Sequence, residues 1–233
     1  MKLGILKCDE VREELRPVHG NYPDMFIRLL RPLAPQLEFA TYDMQQQEAP
    51  HDPRECDAYL ITGSKSSVYE QEPWILALKD QVTRLHDAGS PMIGICFGHQ
   101  MIAHALGGAT EKAEQGWGVG VQTYEVAAEA EWLSPTLDSF SILASHQDQV
   151  TRLPAGAALV ARSAFCPNAM FRIGDQVLTF QGHPEFSKDY SLALMQIREE
   201  QLGPEVFSQG VASLEQPIQA WEAGKWILNF LQR

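Results

Sequence analysis

Between residues 91 and 108 a short apolar run meets a helical pattern with no linker between them. Met92, Ile93 and Ile95 form the run, which ends at Gly94-Ile95-Cys96-Phe97-Gly98. Met101, Ile102, Ala105 and Leu106 then recur at helical spacing until Gly107-Gly108 stops them. Cys96 therefore sits where a buried strand turns sharply into a helix. The small residues Gly94 and Gly98 flank it where the backbone is crowded. This is the frame of the nucleophile elbow, with sulfur in place of the usual serine oxygen. A helix N-terminus favours a thiolate through its dipole and unpaired amides. It also brings the N–H of Phe97 beside the sulfur as an oxyanion donor.

Most cysteines of intracellular proteins are small buried hydrophobes, so a catalytic role for Cys96 needs a second half-site. Residues 177–186 contain one. Val177-Leu178-Thr179-Phe180-Gln181 reads as a buried strand that runs into Gly182-His183-Pro184-Glu185-Phe186. A cysteine nucleophile needs a base, and the base needs a carboxylate to fix its tautomer. Pro184 biases His183 toward extended backbone, where residues two apart point the same way. Glu185 can then lie beside the His183 imidazole. Taken alone, the two would be an ordinary solvated strand end; Cys96 reverses that balance.

The rest of the chain alternates strands and helices. Residues 2–8, 37–42 and 57–62 read as strands. A helix opens at Tyr22-Pro23-Asp24 and ends near Pro32. Another opens at Pro73-Trp74, with Ile75, Leu78, Val82 and Leu85 on one face, and stops at Gly89. Such alternation predicts an α/β fold: a doubly wound, mainly parallel sheet flanked by helices, flavodoxin-like, with right-handed crossovers. Ligands bind such sheets at the carboxyl ends of the strands. Ser64, Cys96 and His183 all fall there. From 119 to 181 short strands at 119–126, 140–144, 157–164, 169–173 and 176–181 predict a partly antiparallel extension. Helices are expected at 187–201 and from Pro217 to Leu231. No linker or repeat interrupts the pattern, so one domain over residues 1–233 is expected.

The net charge of −12 disfavours nucleic acid or an anionic membrane surface as partner. Cys8, Cys56, Cys96 and Cys166 are widely spaced with no C-x-x-C pair, so neither a zinc site nor a disulfide framework is signalled. His99 and His104, five apart on one helix, do not share a metal. No metal or cofactor is expected. The first strand is broken too soon by Lys7 and Asp9 to be a leader, and a free thiolate fits a reducing, cytoplasmic location. Gly116-Trp117-Gly118-Val119-Gly120 lacks the G-x-G-x-x-G spacing of a dinucleotide site.

The pairing of GICFGHQ with QGHPEF resembles the class I (triad-type) glutamine amidotransferases. Ile61-Thr62-Gly63-Ser64, Gly116-Trp117-Gly118 and Ser145-His146-Gln147-Asp148 extend the resemblance over nearly the whole chain. It is nearest to stand-alone members similar to the amidotransferase domain of GMP synthase and the γ-glutamyl peptidases. The resemblance implies a Cys96-His183-Glu185 triad acting on glutamine or a γ-glutamyl small molecule. It also implies oxyanion donors at Phe97 and Ser64, and substrate contacts at Gly63, Gln100, Trp117, Ser145, His146 and Gln147. Trp117 either lies over the substrate stem or simply starts a strand. In the family the loop at 62–68 usually carries Gly-Pro where this chain has Ser64-Lys65, and a positive φ at Ser64 would be costly. The alternative for these serines is a plain turn capping the helix near Pro73. Three functions remain open at this point. One is a glutaminase that passes ammonia to a separate synthetase. Another is a self-sufficient γ-glutamyl peptidase or hydrolase. The third is a non-catalytic binding module on the same fold.

Overall fold

A computed structural model describes residues 1–233. The elements in chain order are β1 (Lys2–Lys7), α1 (Arg16–His19), α2 (Tyr22–Leu30), β2 (Glu38–Asp43), β3 (Ala58–Ile61), α3 (Pro73–Asp87), β4 (Met92–Ile95) and α4 (Phe97–Ala105). Next come β5 (Ala109–Lys112), β6 (Gly118–Val126), β7 (Ser139–His146), β8 (Asp148–Arg152), β9 (Ala157–Arg162), β10 (Met170–Ile173) and β11 (Val177–Phe180). The chain closes with α5 (Lys188–Ile197), α6 (Glu199–Leu202), α7 (Pro204–Ser213) and α8 (Ala220–Leu231).

Nine strands form one sheet in the order β2-β1-β3-β4-β11-β10-β9-β6-β7. The first five are parallel; β10, β9, β6 and β7 extend the sheet in antiparallel pairs. β5 and β8 form a separate two-stranded ribbon. The expected α/β sheet with its antiparallel extension is thus present. β4 lies between β3 and β11 inside the parallel part and is buried along its whole length, which is why its residues read as a continuous apolar run.

Two apolar layers cover the sheet. On one face Ile75, Leu78, Val82 and Leu85 of α3 pack with Met101 and Ile102 of α4. Their spacing in the sequence is the stripe that reaches the core. On the other face α2 and α8 bring Phe26, Leu30, Trp226 and Phe230 against the sheet. Trp226 is fully buried and its indole N–H donates to the Pro135 carbonyl at 2.9 Å. α2 is set by a capping box, in which the Asn21 side chain and Asp24 satisfy each other's backbone N–H groups.

The ribbon strands β5 and β8 were not expected, and the helices differ in three places. The single helix at 187–201 is two, α5 and α6, broken at Arg198, which leaves helical geometry at φ −102°, ψ 10°. α7 follows where no helix was expected. It packs on β6 so closely that a Cβ on Gly120 would meet the Gly210 backbone at 2.5 Å. The last helix starts at Ala220, three residues after Pro217.

Candidate active site

The elbow is built from a strained residue and two tight contacts. Cys96 has φ 53°, ψ −100°, a region costly for any residue with a Cβ. Its N–H donates to the Phe180 carbonyl at 2.8 Å, and its carbonyl accepts the Gln100 N–H at 3.0 Å. The elbow is therefore tied to β11 on one side and to the first turn of α4 on the other. Gly94 and Gly98 have ordinary φ; what they supply is space. A Cβ on Gly94 would lie 2.7 Å from the Gly98 carbonyl oxygen, and one on Gly98 would run into the Ile61 carbonyl of β3.

β11 ends beside β4 and delivers His183 to the elbow. The His183 N–H donates to the Leu143 carbonyl at 2.7 Å. Its ring stacks on Phe186 with centroids 3.8 Å apart and planes 11° from parallel. Nδ1 lies 2.7 Å from Oε1 of Glu185, whose side chain is wholly buried. With Nδ1 held by the carboxylate, Nε2 is left free, and the imidazole lies on the same side of Gly63 as Cys96. Burial alone would strip the charge from His183. The Glu185 carboxylate and Cys96, through charge and hydrogen bonding, outweigh it and raise its pKa to about 10. His183 is thus an imidazolium at neutral pH, clamped between two groups that favour its charge.

Beside these residues opens a cleft of about 550 Å³, lined by Ser64, Cys96, Gln100, Trp117, Ser145, His146 and Gln147 among others. Gly63 lies against both His183 and Cys96: a Cβ there would sit 2.9 Å from His183 Cε1 and 3.7 Å from Cys96 Cβ. Phe97 offers the site only its backbone, since its ring is buried against Trp74. Seven of the residues read from the sequence as a site line this cleft, and Gly63, Phe97, His183 and Glu185 pack behind it.

Their parts differ in detail. The Gln100 amide nitrogen donates to the Asp148 carbonyl at 2.8 Å and to Gln181 Oε1 at 3.1 Å. Gln100 therefore fastens the 145–148 segment and has only its Oε1 left for a ligand. His146 donates from Nδ1 toward the Asp148 carbonyl at 3.1 Å, and burial holds its pKa down to about 4, so the ring is neutral. Trp117 lines the cleft just before β6 begins at Gly118. The expected cost at Ser64 does not arise, because only Gln47 and Cys96 among non-glycine residues have positive φ. Buried His99 bonds Thr179 Oγ1 through Nδ1 at 2.8 Å, and its pKa is pushed down to about 3 by burial.

Two cleft residues had no signal strong enough to find them in the sequence. Arg198 donates to Ser145 Oγ at 2.8 Å and lies over the Trp117 ring, 5.6 Å from its centroid. It looked like one more charged residue on a helix. Asp9 lines the cleft and is 2% exposed. Its place just past the end of β1, on the ligand-binding edge of the sheet, was the one available clue.

The family model of class I glutamine amidotransferases matches residues 18–192. The chain belongs to the class I glutamine amidotransferase family. This amidotransferase-family chain is 31% identical over 194 residues to γ-glutamyl peptidase 3 of Arabidopsis thaliana, a match covering 80% of this chain and 77% of that protein. It is 27% identical over 167 residues to the glutamine-hydrolysing GMP synthase of Dehalococcoides mccartyi, covering 71% of this chain but 30% of the synthase. It shares its fold with the crystal structure of a glutamine amidotransferase from Thermotoga maritima, with TM-score 0.74, 19% identity, and 99% and 96% of the two chains covered. No helix is long and apolar enough to cross a membrane.

Proposed function

We propose that this chain hydrolyses the γ-amide of glutamine or of a γ-glutamyl compound through a thioester on Cys96. The observation that supports this reading is His183 Nδ1 at 2.7 Å from a buried Glu185, with the imidazole and Cys96 both packed against Gly63. The Cys96 thiolate attacks the γ-carbonyl carbon, and the oxyanion is held by the N–H groups of Phe97 and Ser64. His183, already protonated, gives its Nε2 proton to the leaving nitrogen as the tetrahedral intermediate collapses. Neutral His183 then takes a proton from water, which attacks the thioester and releases glutamate. Glu185 fixes the ring and its charge. Gly63, Gln100, Trp117, Ser145, His146 and Gln147 line the glutamyl-binding part of the cleft. The whole chain acts as one domain, in a cytoplasmic setting that keeps the thiol reduced.

Ammonia as leaving group would call for a separate synthetase to receive it, in keeping with the similarity to GMP synthase. A second reading has its own support. A cleft of about 550 Å³ is large enough for a drug-sized ligand. It accommodates a γ-glutamyl group with an amino acid or peptide still attached, and the match to a γ-glutamyl peptidase spans most of both chains. Turnover of glutamine and a panel of γ-glutamyl dipeptides, with Cys96→Ala as control, separates the two. Cys96→Ala is expected to lower the rate by about 10⁴ or more. Full hydrolysis by that variant would sink the proposal.

A further inference from the structure

Asp9 is a buried carboxylate, and apart from the N–H of its neighbour Glu10 its contacts are with the loop that carries Ser64. Its Oδ2 accepts the Lys65 N–H at 2.9 Å, and its Oδ1 accepts the Lys65 ammonium at 2.8 Å and the Glu10 N–H at 2.8 Å. The loop's other anchors lie at its two ends: the Thr62 N–H donates to the Leu6 carbonyl at 3.1 Å and the Cys8 N–H to Thr62 Oγ1 at 2.9 Å, while Ser67 Oγ donates to Asp148 Oδ2 at 2.5 Å and its N–H to Glu70 Oε1 at 2.9 Å; between them the Ser66 N–H donates to Ser64 Oγ at 3.2 Å. The N–H groups of Gly63 and Ser64 meet no acceptor within the protein, whereas the next one along belongs to Asp9.

We propose that Asp9 is a positioning residue for the reaction: it fixes the Lys65 peptide and so aims the Ser64 N–H at the oxyanion, while the Lys65 ammonium cancels the charge of its anchor. The proposal rests on the thioester chemistry given above. Its geometry is simple. Peptide units are rigid planes joined by two soft dihedrals. Holding the plane that contains the Lys65 N–H leaves only φ and ψ of Ser64 between that anchor and the plane that contains the Ser64 N–H. The loop has no proline to restrict it, so the carboxylate supplies the restraint. A bare carboxylate here would oppose the negative charge that develops on the substrate oxygen. The Lys65 ammonium, 68% exposed at its side chain but bonded to Asp9, removes that penalty.

The test compares kcat, KM, binding of glutamate, and inhibition by the aldehyde analogue of glutamine, which forms an oxyanion on the thiol. Asp9→Ala is expected to lower kcat and weaken aldehyde inhibition by a similar factor of about 10 to 100, part of the 10² to 10³ that one oxyanion donor supplies. KM and glutamate binding should move by less than about threefold. Asp9→Asn, whose amide oxygen still accepts the Lys65 N–H, should recover most of kcat. Lys65→Met leaves the anchor charged and should cost roughly tenfold in kcat; adding Asp9→Asn to it should restore the rate. An Asp9→Ala enzyme with kcat within threefold of wild type overturns the proposal. So does an equal loss of glutamate binding and aldehyde binding, which would mark a merely structural residue. If Asp9→Ala does not fold, the Lys65→Met pair decides by the presence or absence of recovery. A wild-type chain inactive on every γ-glutamyl amide overturns the thioester reading and this proposal with it. Cys96-dependent turnover with indifferent Asp9 variants overturns this proposal alone.

Discussion

Gly63→Ala tests the geometry of the site with a single methyl group. The new Cβ would lie 2.9 Å from His183 Cε1, about half an ångström inside the shortest ordinary contact of 3.4 Å. One side must yield. The imidazole has little room: Glu185 holds Nδ1 at 2.7 Å, Phe186 is stacked at 3.8 Å, and the backbone N–H is bonded to Leu143. If the ring gives way, Nε2 moves relative to the sulfur. A displacement of 1 Å costs about 10² in rate, so half of it costs about tenfold. If the loop gives way, the Ser64 N–H leaves its line to the oxyanion, at up to about 10². Either way kcat should fall by about 10- to 100-fold. Stability should change little. Gly63 has no positive φ, so alanine gains about 0.4 to 1 kcal/mol through the unfolded chain. Overpacking removes about 1 to 3 kcal/mol. The net loss corresponds to a Tm lower by a few degrees, at about 2 to 4 °C per kcal/mol for a chain of this size. The assay is steady-state hydrolysis of glutamine and a γ-glutamyl dipeptide beside thermal melting. A Gly63→Ala enzyme with wild-type kcat would refute the placement of His183 and Cys96 around that glycine.

Glu185→Gln should lower kcat by about 10² to 10⁴, since the ring loses its orienting carboxylate. It should also change the pH dependence of stability. The folded pKa of His183 is raised to about 10, so its stabilising contribution is whole below about 6.5 and is lost as pH rises through 10. Denaturant melts across that window should show a shallower fall for Glu185→Gln than for wild type. His183→Ala leaves the buried Glu185 carboxylate without its partner and should destabilise by about 3 to 5 kcal/mol at neutral pH, read by denaturant melts. Arg198→Ala removes the Ser145 bond and the cover over Trp117, and should raise KM by about tenfold with a smaller change in kcat. Kinetics on the γ-glutamyl panel check this, and an unchanged KM would remove Arg198 from the binding surface.

The parts of the fold that were legible are those where local pattern and tertiary burial agree. β4 and α4 meet without a loop, so their two periods abut in the sequence and mark the elbow. His183 and Glu185 do come side by side, but across a turn at Pro184-Glu185 and not along the extended strand end that the proline suggests. α3 buries the residues its 3-4-3 spacing singles out. The illegible parts are those decided by contacts that leave no stripe. α7 has Gly210 as its one fully buried residue, and it docks through small groups: the Val121 N–H donates to Ser213 Oγ at 2.8 Å beside Gly120. β8 reads Asp-Gln-Val-Thr-Arg, and only its pairing with β5 makes it a strand. The break at Arg198 interrupts a segment whose sequence is helical throughout. Asp9, an aspartate after a strand, has the look of a turn residue in contact with water; its burial depends on Lys65, 56 positions away.

The sheet order has a consequence for how the protein comes off the ribosome. β4 is flanked by β3, made before it, and by β11, made only at residues 177–180. A nascent chain that has emerged as far as α4 holds the sulfur but lacks both the Phe180 carbonyl that ties down the elbow and the histidine that follows it. The geometry of the elbow is therefore completed only when a long-range pairing sets β11 against β4, the slow kind of event in folding. Until then Cys96 is an unstructured cysteine, and the last parallel strand to arrive gives it the fixed backbone of the elbow.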